Sequence, residues 1–223
     1  MAKPQLIKYD IGPTKLMPNS PKPLLLYKKA FLGQDGKIDP LLAFDTFTKN
    51  GWDVQWVTRY GRAQRSHYHD SSHETMIVLS GPGRIRWGAA DLDDDPEKHT
   101  YGDAYEPGGI EIEVETGDLF VIPAGLAHKS FDPGAKGESY GCLTGDAHGI
   151  EADDPRKLVA ELALQGFMMM GAYPRGFTWT WSEGGAHLGN FESIWSVETP
   201  DCDPLLGNSG GIRDHWEKPT TQC

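Results

Sequence analysis

Turn-forming residues set the first limit on this chain. Glycine (27) and proline (16) fill about a fifth of its 223 positions. Long helices do not tolerate that density, because glycine weakens a helix interior and proline breaks it. Many short strands joined by turns do tolerate it. The cleanest strand signal is Ile110-Glu111-Ile112-Glu113-Val114-Glu115, which alternates apolar and acidic side chains. On a strand of period two, Ile110, Ile112 and Val114 face a core and the glutamates face water. An apolar fraction of 38% with seven tryptophans supplies that core and excludes a disordered chain.

Other segments fit the same picture. Pro4, Pro13, Pro18, Pro21 and Pro23 describe an extended arm that leads into the apolar run Leu24-Leu25-Leu26-Tyr27. Asp39 as cap and Pro40 at the first helical position open a helix that Gly51 ends. Strands are expected over residues 52–60, 74–79, 84–87, 118–122 and 167–173, the last including three adjacent methionines. Asp154 and Pro155 open a second helix, with Leu158, Val159 and Leu162 as its stripe and Gly166 as its stop. Residues 91–97 carry five carboxylates in seven positions and read as a solvated surface loop. No repeat or sharp boundary divides the chain. The organisation expected is an arm and helix over 1–51, a barrel over 52–183 with inserts at 88–109 and 145–166, and a wrapping tail over 184–223.

The formal net charge is −11. That balance disfavours phosphate backbones and anionic lipid, so neither nucleic acid nor a membrane is an expected partner. The N-terminus has no apolar signal core, and no apolar run approaches a membrane span. Cys142, Cys202 and Cys223 are odd in number and widely spaced. They are expected to be free thiols in a reducing cytoplasm.

The chemistry gathers around a few histidines. His67 and His69 are two residues apart and share a face if extended. Glu74 follows after five residues and joins that face if the chain bends between them. His128 comes much later, after the turn Pro123-Ala124-Gly125. Three imidazoles and one carboxylate form a ligand set for one divalent transition ion. His73, beside Glu74, points to the opposite face on a regular strand. His99, His148, His187 and His215 read as surface or structural residues.

These residues stand in a recognisable frame. Gly61, five residues, His67-x-His69, four residues, Glu74, six residues and Gly81 make one spaced motif. Gly117, five residues, Pro123-x-Gly125, two residues and His128 make another, with Asp132 where an asparagine usually closes it. The chain resembles the cupin superfamily at both. Asn50-Gly51-Trp52, Gly171-Ala172-Tyr173-Pro174 and the tail Asp203-Pro204-Leu205 with Trp216 are similar to the YjlB-like cupins of bacteria and fungi.

The resemblance implies an all-β fold, a double-stranded β-helix or cupin jelly roll, with an N-terminal arm and a few short helices. It implies that His67, His69, Glu74 and His128 hold one metal inside the barrel. Iron or manganese is favoured, although zinc, nickel and copper accept the same ligands. Such a site carries a net charge of about +1 and leaves room for a small oxygenated substrate. Strand parity places Met76, Val78, Phe120, Ser130 and Met169 along the expected pocket, with Phe167, Trp56, Tyr140 and Tyr173 as further wall candidates. No catalytic group is evident beyond Asp132 and His73 as weak candidates, and Asp132 reads first as a turn former. The expected function is a metal-dependent oxidoreductase of dioxygenase type. The alternatives are a redox-neutral isomerase, decarboxylase or lyase, and a non-catalytic small-molecule-binding protein. A homodimer is expected.

Overall fold

The computed structural model describes residues 4–136 and 140–216; Cys223 lies outside them. In chain order the elements are β1 (Gln5–Tyr9), β2 (Leu24–Lys28), α1 (Pro40–Lys49), β3 (Trp52–Tyr60), β4 (Glu74–Ser80), β5 (Gly83–Trp87), α2 (Pro96–Tyr101) and β6 (Ile110–Val114). They continue with β7 (Leu119–Ile122), β8 (His128–Phe131), β9 (Gly141–Cys142), α3 (Pro155–Glu161), β10 (Phe167–Pro174), α4 (Phe191–Trp195) and α5 (Ile212–His215).

Two antiparallel sheets result. The larger has the order β1-β2-β7-β4-β10-β3-β9 and the smaller β6-β5-β8. Their facing sides share one core. Met76, Val78, Phe120 and Met169 from the large sheet pack with Ile85, Trp87 and Val114 from the small one. Side-chain alternation sorts the strands. In β4, Glu74, Met76 and Val78 face inward, while Ile77 and Leu79 face a second core on the outside of the large sheet. The methionine run divides likewise, with Met169 inward and Met168 and Met170 outward. α1, α3 and α5 cover that outer core through Phe47, Val159 and Ile212. Burial on both faces explains why β10 reads as a continuous apolar run rather than an alternating one.

Three expectations need correction. The N-terminal segment is more than an arm lying on a barrel, because β1 and β2 pair with each other and β2 pairs with β7 in the large sheet. The second helix ends at Glu161 rather than near Gly166. Val159 is its buried residue and Leu162, its C-cap, still packs on the outer core, but residues 163–166 are exposed and have no core to cover. The acidic insert is not wholly a solvated loop. Asp95 caps α2 by accepting from Glu97 N, and the side chain of Asp91 is buried. The two free thiols among the described residues are Cys142 and Cys202. No described helix is long and apolar enough to cross a membrane.

Candidate metal centre

Three chain segments meet at one end of the space between the sheets. His67 and Tyr68 form isolated bridges, His67 to His128 and Tyr68 to Ser182, rather than a full strand. The chain then bends at Asp70 and Ser71 and re-enters as β4, which begins at Glu74. That bend brings Glu74 to the face of His67 and His69. β8 begins at His128, and the backbones of His67 and His128 exchange hydrogen bonds of 3.1 and 2.8 Å. Gly125, with φ +85°, makes the turn that launches this strand.

All three imidazoles are oriented by backbone carbonyls. Nδ1 of His67 faces the carbonyl of Arg65 at 3.0 Å, Nδ1 of His128 that of Leu126 at 3.1 Å, and Nδ1 of His69 that of Thr180. A carbonyl can only accept, so each Nδ1 carries the proton and each Nε2 keeps its lone pair. One nitrogen from each ring lies within 4.8 Å of the others, and all three residues are buried. Glu74 Oε2 sits 3.3 Å from His69 Nε2 and 3.4 Å from His128 Nε2, yet has no hydrogen-bond partner. Its other oxygen, Oε1, accepts from the phenol of Tyr173, which in turn accepts from Trp56 Nε1 at 3.1 Å.

The electrostatics follow from this crowding. Burial drives His67 well below the ordinary imidazole value, and His128 and His69 add to the effect. Burial likewise lowers His128 to about 4. For His69, burial pulls downward, but the Glu74 carboxylate outweighs it and raises the ring. For Glu74, burial pushes upward, but His69 and His128 outweigh it and keep the carboxyl below its usual range. Three inward lone pairs, with one unpartnered carboxylate oxygen beside two of them, suit a divalent cation.

The adjoining cavity has a volume of about 40 Å³. Beside the histidines and Glu74 its wall is mainly aromatic, formed by Trp56, Tyr60, Tyr140, Tyr173, Trp179 and Trp181, with Met76, Ala147 and Gln64. Trp181 stacks on His67 at 3.6 Å between ring centroids. Among the described residues, neither lysine nor arginine lines it.

Of the expected pocket residues, Met76 lies on this wall. Val78, Phe120 and Met169 face the same interior but pack deeper in the shared core, and Ser130 also stands off the wall. Strand parity gives the face of a side chain and not its depth. Tyr173, Trp56 and Tyr140 do line the cavity, whereas Phe167 belongs to the deeper core. Asp132 accepts from Gly134 N at 2.8 Å in a surface turn away from the site. His73 also points away, accepting from Ala124 N on Nδ1 at 2.8 Å and facing the carbonyl of Glu198 at 3.1 Å. It ties the turn before His128 to the tail. The contribution of residues 177–182 was not foreseen. Its sequence signal is the alternation Phe177-Thr178-Trp179-Thr180-Trp181, which puts both tryptophans on the cavity wall while the Thr180 carbonyl holds His69.

The fold is of the cupin jelly-roll type, two antiparallel sheets with a buried histidine triad at one end. Over 208 residues, 91% of each chain, this protein is 25% identical to "Uncharacterized protein YjlB" of Bacillus subtilis (strain 168). No family model matches the chain. Among solved structures, RmlC from Streptococcus suis in complex with dTDP-D-xylose is 9% identical with a TM-score of 0.35, covering 78% of this chain and 72% of that one. The dTDP-4-dehydrorhamnose 3,5-epimerase of Elizabethkingia anophelis is 13% identical with a TM-score of 0.33, over 79% and 76%. CapF of Staphylococcus aureus is 13% identical with a TM-score of 0.27 over 79% of this chain, which spans only 27% of CapF.

Proposed function

We propose that this protein is a metal-dependent enzyme of dioxygenase type, acting on a small oxygenated molecule such as an enol, a diketone or a catechol. The observation that carries the reading is the buried triad of carbonyl-anchored imidazoles, with the unpartnered Oε2 of Glu74 facing two of them, His69 and His128. His67, His69 and His128 would hold the ion through Nε2 and Glu74 through Oε2. A divalent ion there supplies Lewis acidity, and iron or manganese adds one-electron chemistry.

The chain's own residues define what enters. Neutral imidazoles and one carboxylate leave a site charge of about +1 with a divalent ion, which favours an enolate or catecholate oxygen. The cavity of about 40 Å³ has room for about three waters, so a bound body must be small or extend past the rim. Tyr140 and Trp181, which line the cavity and are partly exposed, form that rim. The aromatic wall suits a flat or apolar body and sheds water. With no cationic side chain among the described residues of the wall, phosphorylated substrates find no counter-charge there.

The test is oxygen uptake by iron-loaded protein offered enols, diketones and catechols. Substrate-dependent uptake is expected. Turnover without oxygen would replace this reading with a redox-neutral one, and binding without turnover would leave a carrier.

A further inference from the structure

The buried polar cluster on the far side of β8 has no part in the site described above. Lys129 follows His128 directly and points the other way, beneath the insert that carries α2. Its side chain is fully buried, and its ammonium donates to Asp91 Oδ1 at 2.8 Å, to His99 Nδ1 at 2.7 Å and to the His99 carbonyl at 3.1 Å. The other oxygen of Asp91, Oδ2, accepts from the backbone N–H of Ser66 at 2.8 Å. Ser66 directly precedes His67, and its hydroxyl donates to the Ala89 carbonyl at 2.6 Å.

One carboxylate therefore joins the residue before His67 to the residue after His128. A buried ion pair is weak evidence for stability, since desolvating two charges offsets most of their attraction. Its value lies in fixing geometry. A buried charge whose partner moves becomes very costly, so the pair defines one spacing between the two segments.

We propose that Asp91 and Lys129 are positioning residues that set the distance between His67 and His128 from outside the barrel. The acidic insert would then serve the metal centre without touching it. This rests on the metal-centre reading, and the experiment separates the two.

Apo-protein is titrated with manganese(II), zinc(II) and cobalt(II) against a competing chelator, and the manganese form is examined by electron paramagnetic resonance. Asp91→Ala is compared with wild type and with Asp203→Ala, a lesion in the tail remote from the site. Asp91→Ala should raise the metal dissociation constant 10- to 100-fold, as loss of outer partners of metal ligands does, and alter the manganese spectrum. The double variant Asp91→Asn, Lys129→Met keeps an acceptor for Ser66 and leaves no unpaired charge, so it should fold and fall between the two. Asp203→Ala should lower the melting temperature and leave the metal constant within about twofold of wild type. An unchanged constant in Asp91→Ala, or an equal change in Asp203→Ala, would overturn the proposal. Failure of the wild type to take up metal would instead sink the metal reading. Amide exchange in metal-free protein then decides for the clamp: exchange at residues 66–69 and 128 accelerates in Asp91→Ala alone if the pair positions them, and is unchanged if it does not.

Discussion

Tyr173 donates to Glu74 Oε1 and so leaves only Oε2 to face the histidines. Its own acceptor bond from Trp56 requires the indole to lie flat over Gly171, where an added Cβ would come within 2.1 Å of the ring. Glycine at 171 is thus a packing necessity. Tyr173→Phe removes one hydrogen bond from the carboxylate and should weaken metal binding 10- to 100-fold, measured by chelator competition, while the fold is retained. A second residue-scale prediction concerns His99. Burial lowers this ring, and nearby Lys129 lowers it further, with Asp91 opposing and Arg65 adding a smaller push. The unfolded chain then binds a proton near pH 6.5 that the folded one refuses, so stability is lost as pH falls below that value. His99→Asn retains an acceptor for Lys129 and should flatten the pH dependence of stability below about 6.5 in urea melts of the metal-free protein. An equal slope in both proteins would contradict this. The gathering of His67, His69, Glu74 and His128 around one cavity was legible in the sequence because motif spacing fixes which face each residue takes. The clamp and Tyr173's role were not, since both depend on which loop covers which strand.

At the scale of elements, one buried carboxylate makes four of the hydrogen bonds that fasten the tail. Asp203 accepts from Tyr27 on β2 at 2.9 Å, from Ile212 N at the start of α5 at 3.1 Å, and from Leu205 N and Leu206 N at 2.9 Å each. Asp203→Ala leaves four donors without a partner and should cost about 3 kcal/mol in denaturant unfolding. A loss below about 1 kcal/mol would mean that the tail is held by Ile212 and Trp216 packing instead. Strands were readable where turn-forming residues bracket a run, as in β4 between Asp70-Ser71-Ser72 and Gly81-Pro82. α1 was readable from Asp39 and Pro40, and Asp39 does accept from Leu42 N. The failures have a common cause. α3 stops early, and the acidic insert folds over β8, because tertiary cover decides each of them, and neither local propensity nor charge density reports it.

For the whole molecule, the net charge of −11 and a cavity with no lysine or arginine among its described lining residues act in the same direction. Both oppose dianionic substrates, one at long range and the other on arrival. A phosphorylated analogue of any accepted substrate should therefore bind at least about tenfold more weakly, read as KM or as a competition constant. Tighter binding of the phosphorylated form would require a cationic subsite that the wall lacks. All of this depends on a metal at the four inward groups. Elemental mass spectrometry of the purified protein, beside a His67→Ala, His128→Ala double variant, tests that most directly. The account predicts about one divalent transition ion per wild-type chain, iron or manganese foremost, and its loss in the variant. Wild-type protein that holds no metal even after reconstitution would contradict it.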